Sequence, residues 1–260
     1  SLIAKSKSGS MQRDHDYTNA RDHHDLASTT SVSNSAKSKV LKKLDARKIK
    51  TGSYPVMFTP EMARTLIGTF FSAISGMSQY KKTSFLLNAH DELIFPNFMH
   101  IEEQPLIKKG LASQCYDADG IPLKNSLIIQ NGILQRYLLS SYSAKALSLE
   151  PTGNAGGISN TIVSNTGHSN KDLLKLMNKG IIVNDMMGQG VNTLTGDYSR
   201  GATGFWVENG EIQYPIDEFT VAGNLKEMFK NIVAIGNDSD IRSSISTGSI
   251  LIESLHISGS

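Results

Sequence analysis

The sequence predicts an α+β fold in which mixed, largely antiparallel sheets with hairpins pack against several short helices. Two Asn-Gly pairs, Asn131-Gly132 and Asn209-Gly210, each sit between apolar arms, the strongest short-range hairpin signal. A wide helical stripe of apolar residues follows Pro60. The 22 glycines and an apolar fraction of 39% imply short elements joined by frequent turns.

The length of 260 residues allows one large domain or two small ones. Cys115 is the one cysteine, so neither an intrachain disulfide nor a Cys-rich zinc cluster can form, and a reducing compartment is expected. No run approaches the roughly 18 apolar residues of a membrane helix, and the opening SLIAKSKSGS lacks a signal-peptide core. These features place the chain in the cytoplasm with no membrane partner. A start without Met suggests a piece cut from a longer protein. Residues 1–50 carry eleven Lys and Arg against five Asp, whereas the remainder is net acidic. The basic residues are dispersed and bear no nucleic-acid signature, so a solvated face is preferred to nucleic-acid binding.

Residues 1–35 are polar and are expected to be flexible. A short helix is predicted over Lys37–Arg47 with Val40, Leu41 and Leu44 on one face, then a strand over Pro55–Phe58. Thr59 as N-cap and Pro60 at the first position open a buried helix that should stop near Gly76. After a less periodic stretch, the first Asn-Gly turn sets Ile129 against Leu134. Ser143–Leu149 reads as one or two helical turns. Ser169 and Asp172 form a capping box for the next helix, and Ile181–Val183 enters a sheet. The second hairpin is expected to pair Val207 with Ile212 and Phe205 with Tyr214. Glu208 would then face Glu211, a like-charge contact that calls for a basic neighbour. Asn224 caps a helix over Leu225–Asn231, and strands follow near Ile232–Ile235 and Ser249–Ile252.

No histidine pair has the one-turn spacing of a helix-borne zinc site; His23 and His24 are adjacent and should point apart. There is no nucleophile elbow, and neither Gly188-Gln-Gly190 nor Gly153–Gly157 completes a phosphate loop. The dense cluster Thr195–Gly201 either locks its own loop or grips a peptide through charge-assisted hydrogen bonds.

The run from Gly188 to Phe229, GQGVNTLTGDYSRGATGFWVENGEIQYPIDEFTVAGNLKEMF, resembles the signature region of PmbA (TldE) proteins of the TldD/PmbA metalloprotease family. The resemblance extends to SMQRDHDY (Ser10–Tyr17), LDARKIKT (Leu44–Thr51), FSAISGMSQYKKTSFLL (Phe71–Leu87), KGLASQCYDADG (Lys109–Gly120), LLSSYSAKALSLEPTGNAGG (Leu138–Gly157) and NIVAIGNDSDIRSS (Asn231–Ser244). It implies that residues 51–260 are the family's C-terminal domain and residues 1–50 a connecting strand and helix segment leading from an N-terminal domain. It further implies a cytoplasmic protease that processes or degrades unfolded peptides, in which a TldD-like subunit supplies a zinc-binding HExxxH helix. The equivalent helix here is Pro60–Ser75, with Arg64 and Thr69 where the histidines would stand and Ile235 near the place of a further cysteine ligand. No catalytic, cofactor or metal residue is therefore assigned to this chain, and zinc is expected in the partner. Asp197, Tyr198, Arg200 and Trp206 are the candidates for contact with peptide or partner. The alternatives are a metallopeptidase in its own right and a homodimeric peptide-binding module.

Overall fold

The structure, a computed structural model, describes residues 1–259. The chain opens with an antiparallel hairpin, β1 (Leu2–Lys5) and β2 (Met11–Asp14). A 3-10 turn at His23–Asp25 follows, and Ser28 caps α1 (Thr29–Lys42) by accepting from the Ser31 N–H. The polar opening is thus ordered, contrary to the expectation of flexibility. Its polarity reflects thin packing, since α1 buries only Ala36 and Val40 and leaves Leu41 exposed. The helix begins eight residues earlier than expected and ends at Lys42, after which Asp45 turns the chain at a positive φ of 57°.

β3 (Gly52–Phe58) leads into α2 (Pro60–Ala73), whose Ala63, Leu66, Ile67, Phe70 and Phe71 form the expected buried stripe. Thr59 holds the N-cap backbone geometry, but its hydroxyl makes no cap bond. Gly76 begins α3 (Gly76–Tyr80) rather than marking a stop, with Ser75 as its cap. The glycine serves packing here, because a Cβ would come 2.2 Å from the Ser143 hydroxyl oxygen. Next come β4 (Ile101–Glu103), β5 (Ser126–Gln130), β6 (Ile133–Leu134), α4 (Ser141–Leu147) and β7 (Thr161–Val163). The reciprocal Ser169–Asp172 box opens α5 (Asn170–Met177) as expected. β8 (Gly180–Met187), β9 (Asp197–Glu208) and β10 (Glu211–Asn224) form a meander, and Asn224 caps α6 (Leu225–Lys230). The chain closes with β11 (Ile232–Ile235), β12 (Ile245–Ser246) and β13 (Ile250–Ser258).

Six strands form one sheet in the order β10-β9-β8-β3-β13-β11, in which only β3 and β8 run parallel. The sheet curls until β10 also pairs with β13, Val221 opposite Ile257, closing a ring of five strands. A second sheet, β12-β7-β4-β5-β6, is antiparallel except at β12 and β7. Both Asn-Gly turns put each residue at positive φ (Asn131 51°, Gly132 77°, Asn209 55°, Gly210 73°), the geometry of a two-residue hairpin turn.

The first hairpin pairs Ile129 with Leu134 as expected. The second pairs Val207 with Ile212, but a bulge between Ile212 and Tyr214 then sets Tyr214 opposite Trp206 instead of Phe205. Trp206 consequently faces the main core, where Tyr54 meets it edge-on at 5.4 Å, and Val207 faces a second apolar cluster beneath α5. Glu208 does face Glu211, and the basic neighbour is Lys179, 3.2 Å from Glu208.

The main core centres on Phe70 of α2, fully buried among Phe71, Phe95 and Phe229 at ring distances of 5.6, 5.0 and 6.1 Å. Glu103, on β4, is buried too, and its carboxylate is satisfied by Arg136, Asn154 and both the backbone N–H and the hydroxyl of Ser159. Among the described residues no helix is long and apolar enough to cross a membrane. Phe70→Ala should cost about 3–5 kcal/mol in urea denaturation, as for other buried aromatic truncations. Leu41→Ala, on an exposed face, should cost under about 0.5 kcal/mol; equal losses would contradict this placement of the core.

Candidate functional site

The outward face of α2 carries Glu61 and Arg64, and it meets three other parts of the chain at a cluster of charges. Arg242, from the loop between β11 and β12, is its hub. Its Nε donates to Asp240 Oδ1 (2.8 Å), its Nη1 to Asp16 Oδ1 (2.7 Å), and its Nη2 to Glu61 Oε1 (2.7 Å) and Asp240 Oδ2 (3.0 Å). The guanidinium also lies 4.6 Å above the Tyr17 ring, a cation–π arrangement. Arg64 donates to the Tyr17 hydroxyl (2.9 Å) and sits 3.8 Å from Asp240, while Lys39 of α1 bridges Asp16 (3.2 Å) and Glu61 (3.5 Å).

Burial alone would raise both aspartates, but their donors outweigh it. Ser35, the Tyr17 backbone, Arg242 and Lys39 hold Asp16 well below the usual carboxylate range, and Arg242 and Arg64 hold Asp240 below it. Arg242 is raised, chiefly by its bonds to Asp240. Carboxylates kept this firmly ionised are weak bases, so the cluster is suited to clamping rather than to proton transfer. Two clefts flank it. One, of about 820 Å³, runs past Thr18, Arg21, Leu111, Asn160 and Ile241; the other, of about 470 Å³, runs past Lys42, Thr59, Asn184 and Phe205.

The residues present do not fit a zinc ion on α2. Arg64 has no lone pair to give and is engaged with Tyr17, the Thr69 hydroxyl donates to the Thr65 carbonyl (2.9 Å), and Ile235 is a buried hydrocarbon. Among the described residues one group of three potential donors exists elsewhere, Asp22, His23 and His24. Contrary to expectation, the two imidazoles do not point apart: the tight turn brings their ring centres within 3.7 Å at a tilt of 40°, with both Nδ1 atoms turned toward Asp22. Lys109 holds the other oxygen of that carboxylate, Oδ2, at 2.7 Å, so an ammonium already balances its charge.

The four contact candidates divide. Asp197 is exposed and accepts from the Thr195 hydroxyl (2.6 Å) and the Asn224 amide (3.3 Å). Arg200 is half-buried, its Nε bonded to the Gly188 carbonyl at 3.1 Å. Tyr198 is buried, its phenol pushed up to about 12 by burial, and it donates to Met186 Sδ (2.8 Å). Trp206 is likewise in the core, with Lys179 5.6 Å from its ring centre. The structure gives Tyr198 and Trp206 packing positions and leaves Asp197 exposed and Arg200 partly so.

Sequence reasoning missed the Arg242 hub. The signal was present: Asp16 and Tyr17 lie in the segment Ser10–Tyr17, and Asp240 and Arg242 in Asn231–Ser244, two stretches singled out by resemblance alone. Their meeting across 226 positions is a tertiary fact that no local pattern reports.

A curled mixed sheet and a second sheet pack around one central helix, α2, whose outward face carries this charge cluster in place of metal ligands. The chain belongs to the PmbA/TldA metallopeptidase family, whose C-terminal domain matches residues 51–259. It is 46% identical over 259 residues to Metalloprotease PmbA of Escherichia coli O157:H7, covering all of this chain and 58% of that protein. A solved chain from Bacteroides thetaiotaomicron, described as a candidate modulator of DNA gyrase, superposes with a TM-score of 0.93 at 29% identity, covering 99% of this chain and 58% of the other. TldE from Thermococcus kodakarensis shares the fold, with a TM-score of 0.84 at 22% identity over 99% of this chain and 61% of its own. The chain thus spans somewhat more than half the length of these relatives.

Replacing Arg242 by Gln should leave three carboxylates without their shared cation and cost about 2 kcal/mol at neutral pH, less than a fully buried pair because the cluster is partly solvated. Asp16 and Asp240 have depressed folded-state pKa values, so their stabilisation is present above the unfolded value of about 3.9 and is lost as pH falls through the folded values. Wild-type stability should therefore decline below about pH 4, and R242Q should decline less steeply over the same window. Parallel acid limbs in urea titrations would remove the clamp from the account.

Proposed function

We propose that this chain is the part of a PmbA-type subunit that does not itself bind zinc, and that it builds and guides the peptide chamber of a two-subunit metalloprotease acting on unfolded peptides in the cytoplasm. A TldD-like chain is the partner and carries the zinc. The observation that supports this reading most directly is chemical: where the helix of a zinc peptidase needs imidazoles, α2 offers an arginine held by Tyr17 and a threonine bonded to its own helix. A helix so occupied has a scaffolding role, and hydrolysis falls to the partner.

Asp197 and Arg200 are the proposed contacts with peptide or partner, with Tyr198 and Trp206 anchoring the strand that presents them. Arg200 suits a carboxylate or backbone carbonyl through charge-assisted bonds.

The chain purified alone should hold substoichiometric zinc and leave an unfolded protein such as reduced casein intact. Mixed with a TldD-like subunit it should form a stable complex that cleaves casein, and Arg200→Ala should lower that activity about tenfold, the loss of one charge-assisted bond. Stoichiometric zinc together with hydrolysis by the chain alone would sink the proposal.

A further inference from the structure

Residues 18–27 form a loop closed at its own base. The Ala27 N–H donates to the Thr18 hydroxyl at 2.9 Å, so the loop leaves and rejoins the body at nearly one place. A compact surface loop with touching ends can move as a unit when its tip is lightly held. None of these residues is buried. They nonetheless form part of the wall of the cleft of about 820 Å³ beside the Arg242 cluster, through residues 18–21, Asp25 and Ala27.

Neck and tip are held differently. Next to the neck, Arg242 Nη1 donates to Asp16 Oδ1 (2.7 Å) and to the Tyr17 carbonyl (3.2 Å), and Arg64 donates to the Tyr17 hydroxyl. On the other side of the neck Ser28 caps α1. The tip reaches a different part of the chain, the loop after β4. There Lys109 Nζ meets Asp22 Oδ2 (2.7 Å) and Asp25 Oδ2 (3.1 Å), and Arg21 Nη1 donates to the carbonyls of Gly110 (3.2 Å) and Ser113 (2.9 Å). Both anchorages, Arg242 and Lys109–Gly110, line the same cleft. Their exposure separates them: the Asp16 carboxylate is 11% exposed, whereas the side chains of Lys109 and Asp25 are 46% and 50% exposed. Pairs this open contribute little, because water competes for each partner and salt screens them. Freeing the tip also returns conformational entropy to it.

We propose that residues 18–27 are a lid on this cleft: the tip detaches from Lys109, Gly110 and Ser113 and swings about the Thr18–Ala27 neck, while the Arg242 hub and α1 stay in place. With the tip docked, the loop ties two walls of the cleft together, and a chain-like ligand enters by a free end. Detachment removes that tie, so an internal segment enters from the side. The device goes beyond the subunit reading above and does not depend on it.

The test uses this chain alone, with Cys115 replaced by Ser and spin labels on His23→Cys at the tip and Ser72→Cys on α2, both exposed positions. Distances are read by pulsed electron paramagnetic resonance. Two are expected, the closed one dominant at low salt. Lys109→Gln should raise the open-to-closed ratio about fivefold, and Arg21→Gln added to it should raise the ratio again. In 1 M NaCl wild type should open to a similar extent, and Lys109→Gln should respond less, since its pairs are already lost. Labels on Lys37→Cys and Ser72→Cys report α1 against α2 and should give one unchanged distance throughout. A single tip distance that neither variant nor salt alters would overturn the proposal. A joint shift of both label pairs would overturn it too, because the whole N-terminal arm would then be leaving. Lys109 and Arg21 are exposed, so their variants should keep the wild-type melting temperature; a lower one with unaltered distances would make these contacts structural and remove the lid. Neither zinc nor a TldD-like subunit enters the measurement, so its failure leaves the subunit reading standing, and failure of casein cleavage by the mixed subunits leaves the lid standing.

Discussion

The arrangement depends most on one guanidinium. Arg242 gathers carboxylates from the N-terminal arm, from α2 and from its own loop, and its planar fork lets each be met along a separate N–H direction. Segments with little apolar surface of their own are fixed in this way. The opening 50 residues bury few side chains, and their position against α2 is set by Asp16, Tyr17 and Lys39 meeting Glu61, Arg64 and Arg242. A lysine at position 242 would supply the charge without the fork, and so could not hold three partners at these angles.

The second sheet applies the same principle in a drier setting. Glu103 lies almost fully buried, and a carboxylate there is tolerable because every direction around it is met by a donor. The two clusters differ in consequence. The Glu103 site ties loops to the edge of a core, whereas the Arg242 site is bordered by clefts and lies open to whatever those clefts admit.

Much of the architecture was legible in the sequence because it is locally encoded. Asn131-Gly132 and Asn209-Gly210 set their turns, the Ser169–Asp172 box opened its helix, and the α2 stripe identified the core. What failed to show was nonlocal. The bulge after Ile212 shifts the register by one residue, so that Trp206 meets Tyr214 and Phe205 meets Pro215, a change no alternation pattern announces. The order of residues 1–35 comes from Asp16 pairing with Arg242 and Lys39 rather than from apolar periodicity. Of the candidate contacts, Asp197 and Arg200 stay accessible, while the aromatic pair Tyr198 and Trp206 follows the commoner fate of large rings on a two-sided strand.

The closure of β10 onto β13 has a consequence for how the molecule meets other chains. A sheet that curls into a ring spends its backbone donors and acceptors internally, and only short borders remain. One is β11, four residues long; the other is the outer margin of β10 near its turn, where Pro215 has no N–H to offer and the bulge breaks the regular spacing. Each margin is also covered from within the chain, β10 by Arg47 bonded to Pro215 and Asp217 and β11 by Thr166 bonded to Ile235, which protects the protein from edge-to-edge aggregation. An incoming segment must be recognised through side chains on the sheet's faces, so selectivity rests on shape and charge there instead of on the sequence-blind pairing of main chains.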